Sequence, residues 1–206
     1  MKKQHEEKKK KTPGREILEW VLTIAAAVAI ALVIRSFVFE PVRVDGASMD
    51  DTLADGEIMF VTKFDYGTAW FTLPWQDDET KEKATRFTTG GNPERFDVVI
   101  CRYPGRGDTN FVKRVVGLPG DTVELRSGYL YVNGEKTEES YISDEYRGGF
   151  LNEMSPYTVP EGEYFVMGDH RDSSNDSRSV GPISRNMIIG HVRTVLWPFG
   201  SIRGIK

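Results

Sequence analysis

The hydrophobic pattern divides the chain into two unlike parts. From Ile17 to Phe39 nearly every position is apolar, and no charge falls between Trp20 and Ile34. At about 1.5 Å per residue a helix over this stretch spans on the order of 34 Å, enough for a hydrocarbon core of about 30 Å. Glu19 and Arg35 stand near its ends, where their charged heads can reach an interface. Trp20 suits the same boundary. Beyond Pro41 short β-rich runs alternate with turn formers. Strands are expected at Glu57–Thr62, Asp97–Arg102, Asn110–Val116, Thr122–Leu125, Tyr129–Val132, Tyr164–Met167 and Ile188–Leu196. Leu118-Pro119-Gly120-Asp121 and Asn133-Gly134 read as turns between them. No long 3.6-residue period follows the first apolar run. The pattern predicts a mainly β, antiparallel body with polar loops at residues 65–94 and 137–160, and no internal repeat.

Charge sharpens this division. Residues 1–15 hold seven basic and two acidic side chains, which leaves twenty basic and twenty-nine acidic in the rest. The expected organisation is a basic tail at 1–15, a transmembrane anchor at 16–39 and a β domain at 40–206. An acidic body lacks the clustered Lys and Arg that phosphate contacts need, so nucleic acid is not expected as a partner. The tail can meet anionic lipid headgroups. A cleaved signal peptide and a buried core helix compete with the anchor. However, the small-x-small site Ala29-Ile30-Ala31 lies inside the apolar run, and seven basic residues before a core helix have no explanation. The positive excess places the N-terminal side in the cytoplasm and everything after about residue 40 outside. Cys101 is the single cysteine, so an internal disulfide and a cysteine-based zinc site are excluded. It reads as a small core hydrophobe.

Three segments could carry chemistry. In Val44-Asp45-Gly46-Ala47-Ser48-Met49-Asp50-Asp51-Thr52-Leu53 a serine beside glycine can expose its hydroxyl on a tight turn, which alone is weak evidence. In Phe111-Val112-Lys113-Arg114-Val115-Val116 each face of a strand is apolar yet carries one cation. Desolvation lowers a lysine pKa and lets the amine accept a proton. Taken alone, this segment reads more simply as a pair of solvated edge-strand cations. The stretch Gly168-Asp169-His170-Arg171-Asp172-Ser173-Ser174-Asn175-Asp176-Ser177-Arg178 suits an Asx-type loop or one braced by charge-assisted hydrogen bonds. A calcium loop starting at Asp172 lacks the required glycine and closing glutamate.

Together, and in this order, the three segments resemble the bacterial type I signal peptidase family. Arg95-Phe96-Asp97-Val98-Val99 looks like its remaining short motif, with Phe96 where glycine is usual. The resemblance runs from the anchor to about Phe199. It implies a membrane-bound serine endopeptidase with an antiparallel β-sheet catalytic body. Such an enzyme removes signal peptides from exported preproteins after small-x-small sites, and no metal or organic cofactor is required. It further implies Ser48 as nucleophile, Lys113 as general base and Ser174 as the group orienting the lysine. The Ser48 backbone N–H would serve the oxyanion hole, with Gly46 as a second candidate. Arg114, Asp169, Arg171, Asp176 and Arg178 would brace the site. Val44, Met49, Leu53, Phe111 and Val112 would line the pockets for the small side chains. The implied setting is the plasma membrane of a bacterium, with membrane lipids and the secretion translocon as neighbours. Asp51 stands where proline is usual, which suggests a looser turn after the nucleophile, and His170 replaces a common asparagine. A Ser–His–Asp arrangement through His170 or His191 is the competing mechanism. A non-catalytic membrane-tethered β domain is the competing class. Tyr66, Trp70, Phe71 and Trp75 form either a satellite core or a patch that dips into the membrane interface.

Overall fold

A computed structural model describes residues 13–37, 39–63, 65–66, 68–69, 87–88, 91–106, 109–149 and 152–205. The chain divides into two units, Met1–Arg35 and Ser36–Lys206. Helix α1 (Pro13–Phe37) begins in the first and ends two residues into the second. Its apolar residues occupy all sides rather than one stripe, and Ile17, Trp20, Ile24 and Leu32 are exposed. A helix apolar all round suits lipid better than water. By length and composition it can cross a membrane. The helix ends at Phe37, and Phe39 already begins a strand, two residues short of the expected anchor boundary.

The second unit is mainly β, and the strand pairings among its described residues are antiparallel. Its strands are β1 (Phe39–Arg43), β2 (Ile58–Thr62), β3 (Thr68–Ala69), β4 (Phe87–Thr88), β5 (Val98–Cys101), β6 (Phe111–Gly117) and β7 (Thr122–Arg126). They continue with β8 (Tyr129–Val132), β9 (Glu135–Lys136), β10 (Met154–Thr158), β11 (Glu163–Met167), β12 (Ile183–Ser184), β13 (Ile188–Trp197) and β14 (Arg203–Gly204). The main sheet runs β1-β2-β13-β5-β6-β11-β12, with β14 also on β13. A smaller sheet runs β10-β7-β8-β9, and β3 pairs with β4.

Each of the seven expected strands forms, with no end shifted by more than one residue. The expected loop 137–160 instead contains β10, which pairs with β7 through a bulge. Pro156 lacks an N–H and suits such an edge position. Alternation explains the packing. In β2, Met59 and Val61 point inward, where they join Val44, Met49, Leu53 and Val192. In β6 alternation gives way to burial from Lys113 through Gly117, because β5 and β11 flank it in the sheet and apolar clusters cover both faces. Gly117 is needed there, since a Cβ would meet Val123 Cγ1 at 2.7 Å.

Candidate active site

The serine turn hangs from two buried side chains. Met49 and Leu53 sit in the core below it, and Leu53 N–H returns to the Met49 carbonyl at 2.8 Å. Gly46 enters the turn at φ +95°, a conformation that favours glycine. Ser48 is thereby left half-buried, facing β6. Lys113, paired in register with Val99, reaches it from β6. Lys113 is 2% exposed, and its Nζ lies 2.7 Å from Ser48 Oγ and 2.9 Å from the Val112 carbonyl. Loss of hydration on burial pulls the lysine pKa below its ordinary value, while the carboxylates of Asp176 and Asp169 oppose that fall. Burial also pushes the Cys101 thiol up to about 12, so it stays neutral.

Arg114 points to the other face of β6 and serves a different purpose. It is wholly buried and grips Asp169 in a fork, Nε to Oδ1 at 3.0 Å and Nη2 to Oδ2 at 2.8 Å. It also donates to the Phe96 carbonyl at 2.8 Å and to Thr52 Oγ1 at 3.1 Å. Thr52 in turn donates to Asp169, which ties the serine turn to this pair. Phe96 adopts φ +75°, which accounts for glycine being usual there. Asp176 caps the short helix Ser177–Val180 and accepts from Arg178 and from Gly168 N–H at 3.0 Å. Burial raises its pKa, but these bonds outweigh burial and hold it below the usual value. Gly168 must lack a side chain. A Cβ would collide with the Ser48 carbonyl and the Ser174 hydroxyl.

Several expectations change. Gly46 gives its N–H to Asp55 Oδ1 at 2.9 Å, so this donor is already engaged. Ser48 N–H, by contrast, has no acceptor among the described residues. Ser174 packs against Gly168 but does not bond to Lys113, and its hydroxyl makes no well-formed hydrogen bond among the described residues. Leu53 is fully buried in the core, whereas Val44, Met49, Phe111 and Val112 line a cavity of about 230 Å³ beside Ser48 and Lys113. Val42, Ile100 and Asn110 are among the other residues that line it and were missed. Tyr66 is buried, donates to Asp97 at 2.7 Å and stacks on His191, so it is no interfacial residue. Trp70, Phe71, Trp75 and the basic tail through residue 12 lie outside the described residues.

The turn after Ser48 is not loose. Asp51 takes φ +81°, which proline cannot adopt, and its carboxylate accepts from Ser143 N–H at 2.6 Å. Neither described histidine bonds to Ser48 Oγ. His170 Nδ1 lies 3.2 Å from the Ala47 carbonyl and 3.5 Å from Asp50, while His191 lies between Asp65 and Asp97. Sequence reading missed Glu139, which is buried and paired with Arg171. It offers no local signal, because it sits in a polar stretch whose burial depends on residues far along the chain. Thr52 carried a signal in the Thr-Leu part of its motif.

Residues 17–197 match the family model described as signal peptidase, peptidase S26. The chain is 38% identical to a signal peptidase I of Bacillus licheniformis, over 96% of this chain and 97% of that one. It is 37% identical to signal peptidase I P of Bacillus subtilis subsp. natto, over 92% and 94%. It is 34% identical to signal peptidase IB of Staphylococcus aureus (strain COL), over 92% and 94%. The chain belongs to the signal peptidase family, peptidase S26.

Proposed function

We propose that this serine endopeptidase removes signal peptides from preproteins by a Ser48–Lys113 dyad. The observation that carries this reading is the 2.7 Å approach of a buried lysine amine to the serine hydroxyl. With its pKa lowered, the neutral amine accepts the Ser48 proton as Oγ attacks the scissile carbonyl. The developing oxyanion lies toward Ser48 N–H. Lys113 then gives its proton to the leaving amine, which departs as the new N-terminus of the mature protein. A water, deprotonated by the same amine, hydrolyses the acyl-enzyme and frees Ser48. Arg114 cannot take this part. It points away, and a guanidinium stays protonated at any working pH.

The cavity walled by Val44, Met49, Phe111 and Val112 suits small side chains before the cut. Helix α1 anchors the enzyme in the plasma membrane with the catalytic unit outside, against membrane lipids and near the secretion translocon. The test is cleavage of a peptide with alanine at the first and third positions before the cut. Lys113→Arg and Lys113→Ala are expected to show no rate above background, and His170→Asn to retain most activity. If Lys113→Arg cleaves normally and His170→Asn does not, the base is a histidine.

A further inference from the structure

The segment 138–147 holds several of the parts that support the site. Its Glu139 pairs with Arg171 inside the protein. Its Tyr141 ring lies 3.8 Å from the Arg114 guanidinium, and its hydroxyl donates to Glu139 at 2.8 Å. Its Tyr146 carbonyl accepts from Arg171 N–H at 2.8 Å, and the Tyr146 ring packs on His170 at 4.3 Å. One tie goes directly to the serine turn, from Ser143 N–H to Asp51 Oδ2. That turn is anchored below by Met49 and Leu53, and from Thr52 toward Asp169. Its outer rim at Asp51 is exposed. Asp51 also holds φ +81°, a conformation that non-glycine residues keep only where their surroundings impose it. Aspartate and asparagine tolerate it best.

We propose that Asp51 is a positioning residue: its carboxylate clamps the serine turn onto the 138–147 segment and so keeps Ser48 Oγ within reach of Lys113 Nζ. This rests on the Ser48–Lys113 reading of the site. The clamp acts on the reacting geometry, since small displacements of a nucleophile cost rate without weakening substrate binding. Three substitutions separate its two components. Asparagine keeps both the left-handed backbone and an acceptor oxygen. Glycine keeps the backbone alone. Proline, with φ fixed near about −65°, keeps neither.

The experiment measures kcat and KM on a fluorogenic peptide with alanine at the first and third positions before the cut. It uses the full-length protein in detergent micelles, with a melting curve for each variant. Asp51→Asn is expected to stay within about twofold of the parent, because an amide oxygen accepts the same bond. Asp51→Gly is expected to lose about tenfold in kcat at unchanged KM and melting temperature, the scale of one hydrogen bond. Asp51→Pro is expected to fall below Asp51→Gly. The clamp is overturned if Asp51→Gly keeps the parental kcat. It is also overturned if Asp51→Asn falls as far as Asp51→Gly, or if the loss in Asp51→Gly tracks a loss of melting temperature. Ser48→Ala runs beside them. Its inactivity together with an unaffected Asp51→Gly discards the clamp alone, whereas activity in Ser48→Ala discards the reading of the site beneath it.

Discussion

Lys113 shows at the scale of one residue how function and stability pull apart. Burial lowers its pKa below the ordinary 10.5, so the unfolded chain holds that proton more tightly than the folded one. Stability from this group therefore rises as pH climbs from the folded pKa toward 10.5. The cleavage rate rises through the folded pKa too, because only the neutral amine accepts the serine proton. Below that window the folded protein must either bury a charge or release a proton. Lys113→Met fills a similar volume without this penalty. It is expected to be inactive, to melt higher than the parent at pH 7 and to lose part of the rise in melting temperature as pH climbs toward 10.5. A lower melting temperature at pH 7 would show that the amine contributes more through its hydrogen bonds than it costs by burial.

At the scale of elements, the buried Arg114–Asp169 fork joins β6 to the segment that follows β11. Thr52 adds the serine turn to the same junction. Removing one partner of such a pair leaves the other charged, buried and unmatched, which costs about 3–5 kcal/mol. Arg114→Ala is expected to lose stability on that scale in urea unfolding, and activity with it. A loss below about 1 kcal/mol would mean that Asp169 finds water or another donor. The neighbouring strand positions 113 and 114 thus differ completely in role. A strand alternates its side chains, so one faces the serine and the other the interior of the junction.

At the scale of the molecule, an all-round apolar helix precedes a β unit that contains the whole proposed dyad. The seven basic residues among residues 1–15 favour a cytoplasmic start. Protease added outside intact spheroplasts is accordingly expected to degrade the β unit and spare the tail, read by antibodies to each end. Protection of the β unit would reverse the orientation.

Much of this was legible in the residues. Strands β2, β5, β6, β7, β8, β11 and β13 follow from local apolar pattern and turn chemistry, which act between near neighbours. Strand β10 was hidden, because Met154-Ser155-Pro156-Tyr157-Thr158 is mostly exposed and has a bulge at its pairing edge. The Ser48 and Lys113 motifs stood out by type and order, but the segment of Lys113 alone reads as a solvated edge strand, and its burial comes from the strands that flank it on both sides. What the tertiary structure decided are the contacts between residues distant in sequence. It directed the Gly46 N–H to Asp55, sent Leu53 to the core, and paired Glu139 with Arg171 and Asp51 with Ser143. It also set His170 against the Ala47 carbonyl rather than the serine hydroxyl. Local sequence encodes which surfaces prefer burial. Which donor meets which acceptor across 92 residues depends on how the strands register and the loops close over them.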